Sequence, residues 1–104
     1  MAAGDAEAAI PHLRRALEAD AANDAATHAL LRALEDAGRL DEAIALANRR
    51  IAEAPDDVLA HTRLSILLQH AGDVRAAEAA ATRAKILGWR LQLKNGIQSP
   101  ENIL

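Results

Sequence analysis

Four histidines, two adjacent pairs of carboxylates and one serine in an apolar run are the side chains here whose types could do chemistry. His12, His28, His61 and His70 are metal ligands by type. No two of them lie three or four residues apart, so no helical turn offers two imidazoles to one ion, and no HExxH stretch occurs. They are expected to be partly exposed helix histidines. Asp41-Glu42 and Asp56-Asp57 pair carboxylates as acid–base catalysts do, yet both pairs stand where helices are expected to begin. There an acidic group opposes the helix dipole and caps free N–H groups, which explains it without catalysis. Ser65, within Leu64-Ser65-Ile66-Leu67-Leu68, has no base and orienting group at a recognisable spacing and reads as a small packing residue. Isolated Gly4, Gly38 and Gly72 make turns rather than a phosphate cradle. With no cysteine there is no thiolate ligand, thiol nucleophile or disulfide. The residues predict no enzyme, no metal and no cofactor.

The elements that must position these side chains follow from a repeat. Ala3-Gly4, Ala37-Gly38 and Ala71-Gly72 recur every 34 residues, and Ala9, Ala43 and Ala77 fall in the same register, as do Arg15, Arg49 and Arg83. Between the glycines the apolar residues keep helical spacing, which predicts five helices, over about 5–20, 24–37, 40–54, 58–71 and 74–87. Gly38 and Gly72 can close helices in the left-handed conformation, Pro55 stops the third, and Asp56 or Asp57 caps the fourth. Pro11 lies inside the first, which is expected to kink or to start late at Pro11. Short connections make neighbours antiparallel, and a constant unit length stacks the pairs, so the expected fold is all-α, a right-handed helical-hairpin solenoid. Ala9, Ala43 and Ala77 sit where a larger side chain would push paired helices apart.

Composition excludes other classes. The chain of 104 residues is long enough for one small domain, and its hydrophobic share of 51% is largely alanine, with one Trp, no Phe and no Tyr, so the core is thin. A net charge of −3 and no stacking face argue against nucleic acid. No long apolar run or basic, apolar leader is present, so no membrane span or signal peptide is expected, and the cytoplasm is the default compartment.

At these residues the chain resembles the tetratricopeptide repeat family over about residues 4–88. The family pattern's Leu matches Leu30 and Leu64, its small Ala matches Ala9, Ala43 and Ala77, and its closing Pro matches Pro55; Gly38-Arg39-Leu40-Asp41-Glu42-Ala43-Ile44 looks like its turn and second-helix start. The aromatic positions depart from it: Thr27 and His61 stand for Trp, Leu34 and Leu68 for Tyr, and Leu13, Ala47 and Ala81 for Phe, while Arg50 breaks a small position held by Ala16 and Ala84. The resemblance implies a protein–protein interaction module whose first helices, here the second and fourth, line a concave groove for a peptide or partner protein. The implied groove residues are His28, Arg32 and Glu35, then Leu59, Thr62, Arg63, Ile66 and Gln69. The family's lysine and asparagine carboxylate clamp does not carry over, because segments 24–37 and 58–71 contain neither residue type. Arg32 and Arg63 could still hold a carboxylate, and Leu59 and Ile66 suggest an apolar strip rimmed by charge.

The alternative is a structural or self-assembly module. Only two and a half repeats are counted, and the ends look open, so the chain is expected to be a piece of a longer, bacterial-type protein or to complete itself with another copy. Residues 1–57 carry 12 acidic and 6 basic groups, and residues 58–104 carry 3 and 6, which favours a weak head-to-tail homo-oligomer. The expected division is a repeat domain over 1–88 and a tail over 89–104, with Trp89 covering the alanine face of the last helix and with turn and cap signals at Asn95-Gly96 and Ser99-Pro100-Glu101.

Overall fold

The computed structural model describes residues 3–94, which form five helices: α1 (Ala3–Ala19), α2 (Asp24–Asp36), α3 (Leu40–Glu53), α4 (Val58–His70) and α5 (Val74–Lys94). Their starts and stops repeat with the sequence. Asn23 and Asp57, one period apart, cap α2 and α4 by accepting from the N–H groups of Ala26 (3.0 Å) and Ala60 (3.2 Å). Gly38 and Gly72 have φ of 76° and 88°. That left-handed turn lets the next N–H reach back, Arg39 to the Leu34 carbonyl at 2.8 Å and Asp73 to the Leu68 carbonyl at 2.9 Å. The two inner–outer helix junctions therefore turn in the same way.

Each helix packs antiparallel on the next, and the backbones of α2 and α4 also approach each other, whereas α1 and α3 meet only through side chains. The closer spacing of α2 and α4 puts them on the inner side of the stack's curvature, with α1, α3 and α5 outside. The radius of gyration is 15.5 Å, above the roughly 13 Å of a compact 100-residue domain, and the extents of 49 × 33 × 26 Å are those of a short solenoid. The core centres on α2: Leu30, Leu31 and Leu34 meet Ile10 of α1, Ala43 and Ala47 of α3, and Leu67 of α4. Ala43 and Ala77 are fully buried, so helix pairs close on a methyl group there. Ser65 is a packing residue, buried, with its hydroxyl donating to the Ala77 carbonyl at 2.8 Å across the α4–α5 contact.

Three expectations are corrected. Pro11 does not delay the first helix, because α1 runs from Ala3 through it. The bond lost at its missing N–H falls on an exposed flank where water can satisfy the freed carbonyl of Glu7, while Ala6 and Ile10 stay buried on the other side. The last helix does not stop near Leu87 but continues to Lys94. Pro55, which blocks α3, has Trp89 as its counterpart one period later, and Leu87 and Leu91 continue the half-buried face. Trp89 is not a cover: it is 65% exposed on the face of α5 opposite Ala77, Ala80 and Ala84, and those alanines are buried against α4. The turn and cap signals at 95–104 lie outside the described residues. No described helix is long and apolar enough to cross a membrane.

Two glycine substitutions of opposite sign test this backbone. Gly88 is helical, and a Cβ added there meets nothing within 4 Å. Gly88→Ala should raise stability by about 0.5–1 kcal/mol, read as a higher urea midpoint. Gly38→Ala also has open space, but its φ of 76° should make it cost about 1–2 kcal/mol in the same measurement.

Candidate functional site

The inner face is built from two helical strips. On α2, His28, Arg32 and Glu35 follow at one-turn intervals; on α4, Leu59, Thr62, Arg63, Ile66 and Gln69 share a face. Three of these residues are engaged between the strips. His28 Nε2 donates to Asp57 Oδ2 at 2.8 Å, while Glu35 accepts from Arg63 Nη1 at 3.4 Å and lies 3.5 Å from Nδ1 of His70. Those contacts tie α2 to α4 at both ends. Arg32 projects between the ties with no ion-pair partner among the described residues, and its helix puts it one turn from each. Across from it, Leu59 is 48% and Ile66 36% exposed, with Thr62 and Gln69 exposed beside them. The Thr62 hydroxyl donates back to the Val58 carbonyl at 3.0 Å. The surface thus presents one unpaired guanidinium beside a two-residue apolar strip.

What holds this face in shape is a cluster that sequence reasoning missed. Arg50 of α3, only 13% exposed in its side chain, extends Nε to Asp57 Oδ2 and Nη1 to Asp24 Oδ1, both at 2.8 Å. It departs from the small residues at its repeat positions because its guanidinium reaches past the core to the first turns of both inner helices. The signal was present: an arginine at a small position, with aspartates at both inner-helix starts. Burial of the Asp57 carboxyl works against its ionisation. The bonds from Arg50, His28 and the Ala60 N–H outweigh that and hold it below the usual carboxylate range. On the outside, Arg39 and Arg14 both bind Glu42 and pull its carboxyl down to about 2, while Arg39 also reaches Glu7 and so links α3 to α1.

The histidines are less exposed than their sequence context suggests. His61 is buried, with Nε2 donating to the Pro55 carbonyl at 2.9 Å, and His28 is largely covered by its bond to Asp57; His12 and His70 are exposed. Both of these imidazoles have taken structural partners. Among the described residues, no three metal-capable side chains converge.

Asp57→Asn keeps the cap, as Asn23 shows on α2, but removes the charge that Arg50 and His28 share. It should cost about 1–3 kcal/mol at neutral pH. Because the folded chain holds this carboxyl below its unfolded value, the unfolded chain binds more protons between the two. Its contribution is therefore complete above about pH 4 and is lost as pH falls towards the lowered value. Urea midpoints measured from neutral to acidic pH should decline for the wild type and decline less for Asp57→Asn.

A family model described as tetratricopeptide repeat matches residues 1–62, more than half of the chain. No curated protein and no solved structure matches it significantly.

Proposed function

Because the chain belongs to the tetratricopeptide repeat family, whose repeats mediate protein–protein interaction, we propose that its inner face binds an extended peptide or a loop of a partner protein, as the recruiting part of a larger protein. The observation that carries this reading is the exposure of Leu59 and Ile66 on the inner face, beside the unpaired Arg32. Large apolar side chains left in water on a face that also carries an unpaired guanidinium suit a ligand with an apolar residue and a carboxylate. Arg32 is the better carboxylate ligand of the two arginines, since Arg63 is turned towards Glu35. His28, Glu35 and Arg63 set the spacing of the two strips, while Arg32, Leu59, Thr62, Ile66 and Gln69 meet the ligand.

A peptide library titrated against the chain should yield saturable binders carrying an acidic and an apolar residue. Arg32→Ala should weaken them by about tenfold, the worth of a charge-assisted hydrogen bond. Ile66→Ser should weaken them comparably, with the far-ultraviolet dichroism unchanged in both variants. Retention of full affinity in both would remove the site from the inner face.

Self-association is the second reading, favoured by the acidic first half and basic second half of the chain. A head-to-tail contact of that kind predicts sedimentation that rises with concentration at low salt and reverts to the monomer at high salt.

A further inference from the structure

The 34-residue repeat produces two equivalent clefts on the outer side of the solenoid, and their chemistry differs. The first, of about 400 Å³, lies between α1 and α3 over α2; the second, of about 390 Å³, lies between α3 and α5 over α4. Leu17, Ala21, Thr27, Arg49 and Glu53 of the first correspond one period later to Ile51, Pro55, His61, Arg83 and Leu87 of the second. The arginines of the first cleft are all paired within the chain: Arg14 with Glu42 at 2.8 Å, Arg49 with Glu53 at 3.1 Å, and Arg50 with Asp24 at 2.8 Å. In the second, the positions of Glu18, Glu42 and Glu53 are held by Ala52, Ala76 and Leu87. Arg83 is retained and Arg90 added, neither with an ion-pair partner among the described residues, and Asp56 is the one carboxylate in the lining.

The surface beside the second cleft continues the same character. Ile86, which lines it, is followed on that face of α5 by Trp89 and Leu93, which are 46%, 65% and 63% exposed respectively. From Ala79 to Lys94 the helix has four basic residues, Arg83, Lys85, Arg90 and Lys94, and no acidic one. Loss of the internal counter-ions and gain of exposed apolar groups thus coincide in one of two otherwise equivalent places.

We propose that the cleft between α3 and α5 is a second protein-docking site, separate from the inner face, which takes an acidic segment of a partner protein that carries a large apolar side chain. The apolar group sits between Ile51 and Ile86, and the carboxylates replace the missing glutamates opposite Arg83 and Arg90. Charge complementarity selects this occupant over a basic or neutral one, because such a segment restores the pairing the first cleft makes internally.

Trp89, the chain's single Trp, stands beside the site, next after Ile86 on that face of α5, and serves as its reporter. Two synthetic probes of equal length, a Glu/Leu peptide and its Lys/Leu counterpart, are titrated into the full chain while Trp89 emission is followed. The Glu/Leu probe should shift the emission saturably and the Lys/Leu probe should not. Arg83→Glu/Arg90→Glu should weaken the Glu/Leu probe by at least about tenfold, since repulsion replaces attraction, and Arg83→Gln/Arg90→Gln by less. Arg32→Ala should leave the Trp89 response unchanged even where it removes binding of the same probe at the inner face, so failure here and failure of the inner face as a site are separable. Equal response to both probes, no response to the acidic one, or insensitivity to both arginine pairs overturns the proposal. A free chain whose Trp89 emission is already blue-shifted also overturns it: independence of protein concentration then identifies residues 95–104 as the occupant, and dependence on it identifies a second copy.

Discussion

One carboxylate, that of Asp57, joins three helices. It caps α4 through the Ala60 N–H, accepts from His28 of α2 and accepts from Arg50 of α3, whose other arm holds Asp24 at the start of α2. An isolated helix pair of this size would be marginal, so stacking depends on whatever fixes one unit on the next. The apolar core does so around α2, through Leu31, Leu34 and Leu67. Near the capped ends the core thins to small residues, and the charge cluster takes over. Its worth lies less in net energy, since burying ions costs desolvation, than in allowing one register between α2 and α4. The inner face inherits its spacing from that register.

The alanines impose the complementary constraint. With Ala43, Ala47, Ala60 and Ala77 fully buried, the helices are held apart by methyl groups, so the interior tolerates little added volume. Few large apolar side chains are then needed inside. Of those left outside, Leu59 and Ile66 on α4 and Ile86, Trp89 and Leu93 on α5 form two groups, and Val74 at the start of α5 stands apart. A close-packed alanine interior thus leaves this chain's larger apolar groups available for surfaces.

Helices two to four were legible almost to the residue, because Gly38, Pro55, Asp57 and Gly72 are local signals whose physics does not depend on the rest of the fold. The errors arose where tertiary packing overrides such signals. Pro11 stays within α1 because Ala6 and Ile10 anchor the helix on its far side, and Gly88 stays helical because Leu87 and Leu91 continue the α4-facing stripe. By residue type Trp89 is expected to cover the alanine face of the last helix, yet its angular position on a continued α5 places it outside. For the inner face, helical spacing places the eight residues that the resemblance implies on α2 and α4. It could not tell that His28, Glu35 and Arg63 are engaged between α2 and α4, because that depends on distances between helices nearly thirty residues apart in sequence.

The repeats of this one chain separate structural from surface roles. Positions that hold the stack keep their character: Asn23 and Asp57 both cap, Gly38 and Gly72 both turn left-handed, and Ala43 and Ala77 are both fully buried. Positions free of that duty diverge. Where Ile10 and Ile44 help to pack α1 and α3 around α2, α5 carries exposed Glu78, so this flank is polar in a way that the others are not. The outer clefts diverge in the opposite sense, from internally paired to unpaired. A substitution that merely decayed a repeat would exchange apolar for polar groups at random. Here the last helix gains polarity on the flank next to its buried face and apolar groups on its outermost face, which is the distribution expected when one repeat is shaped for contact rather than for stacking.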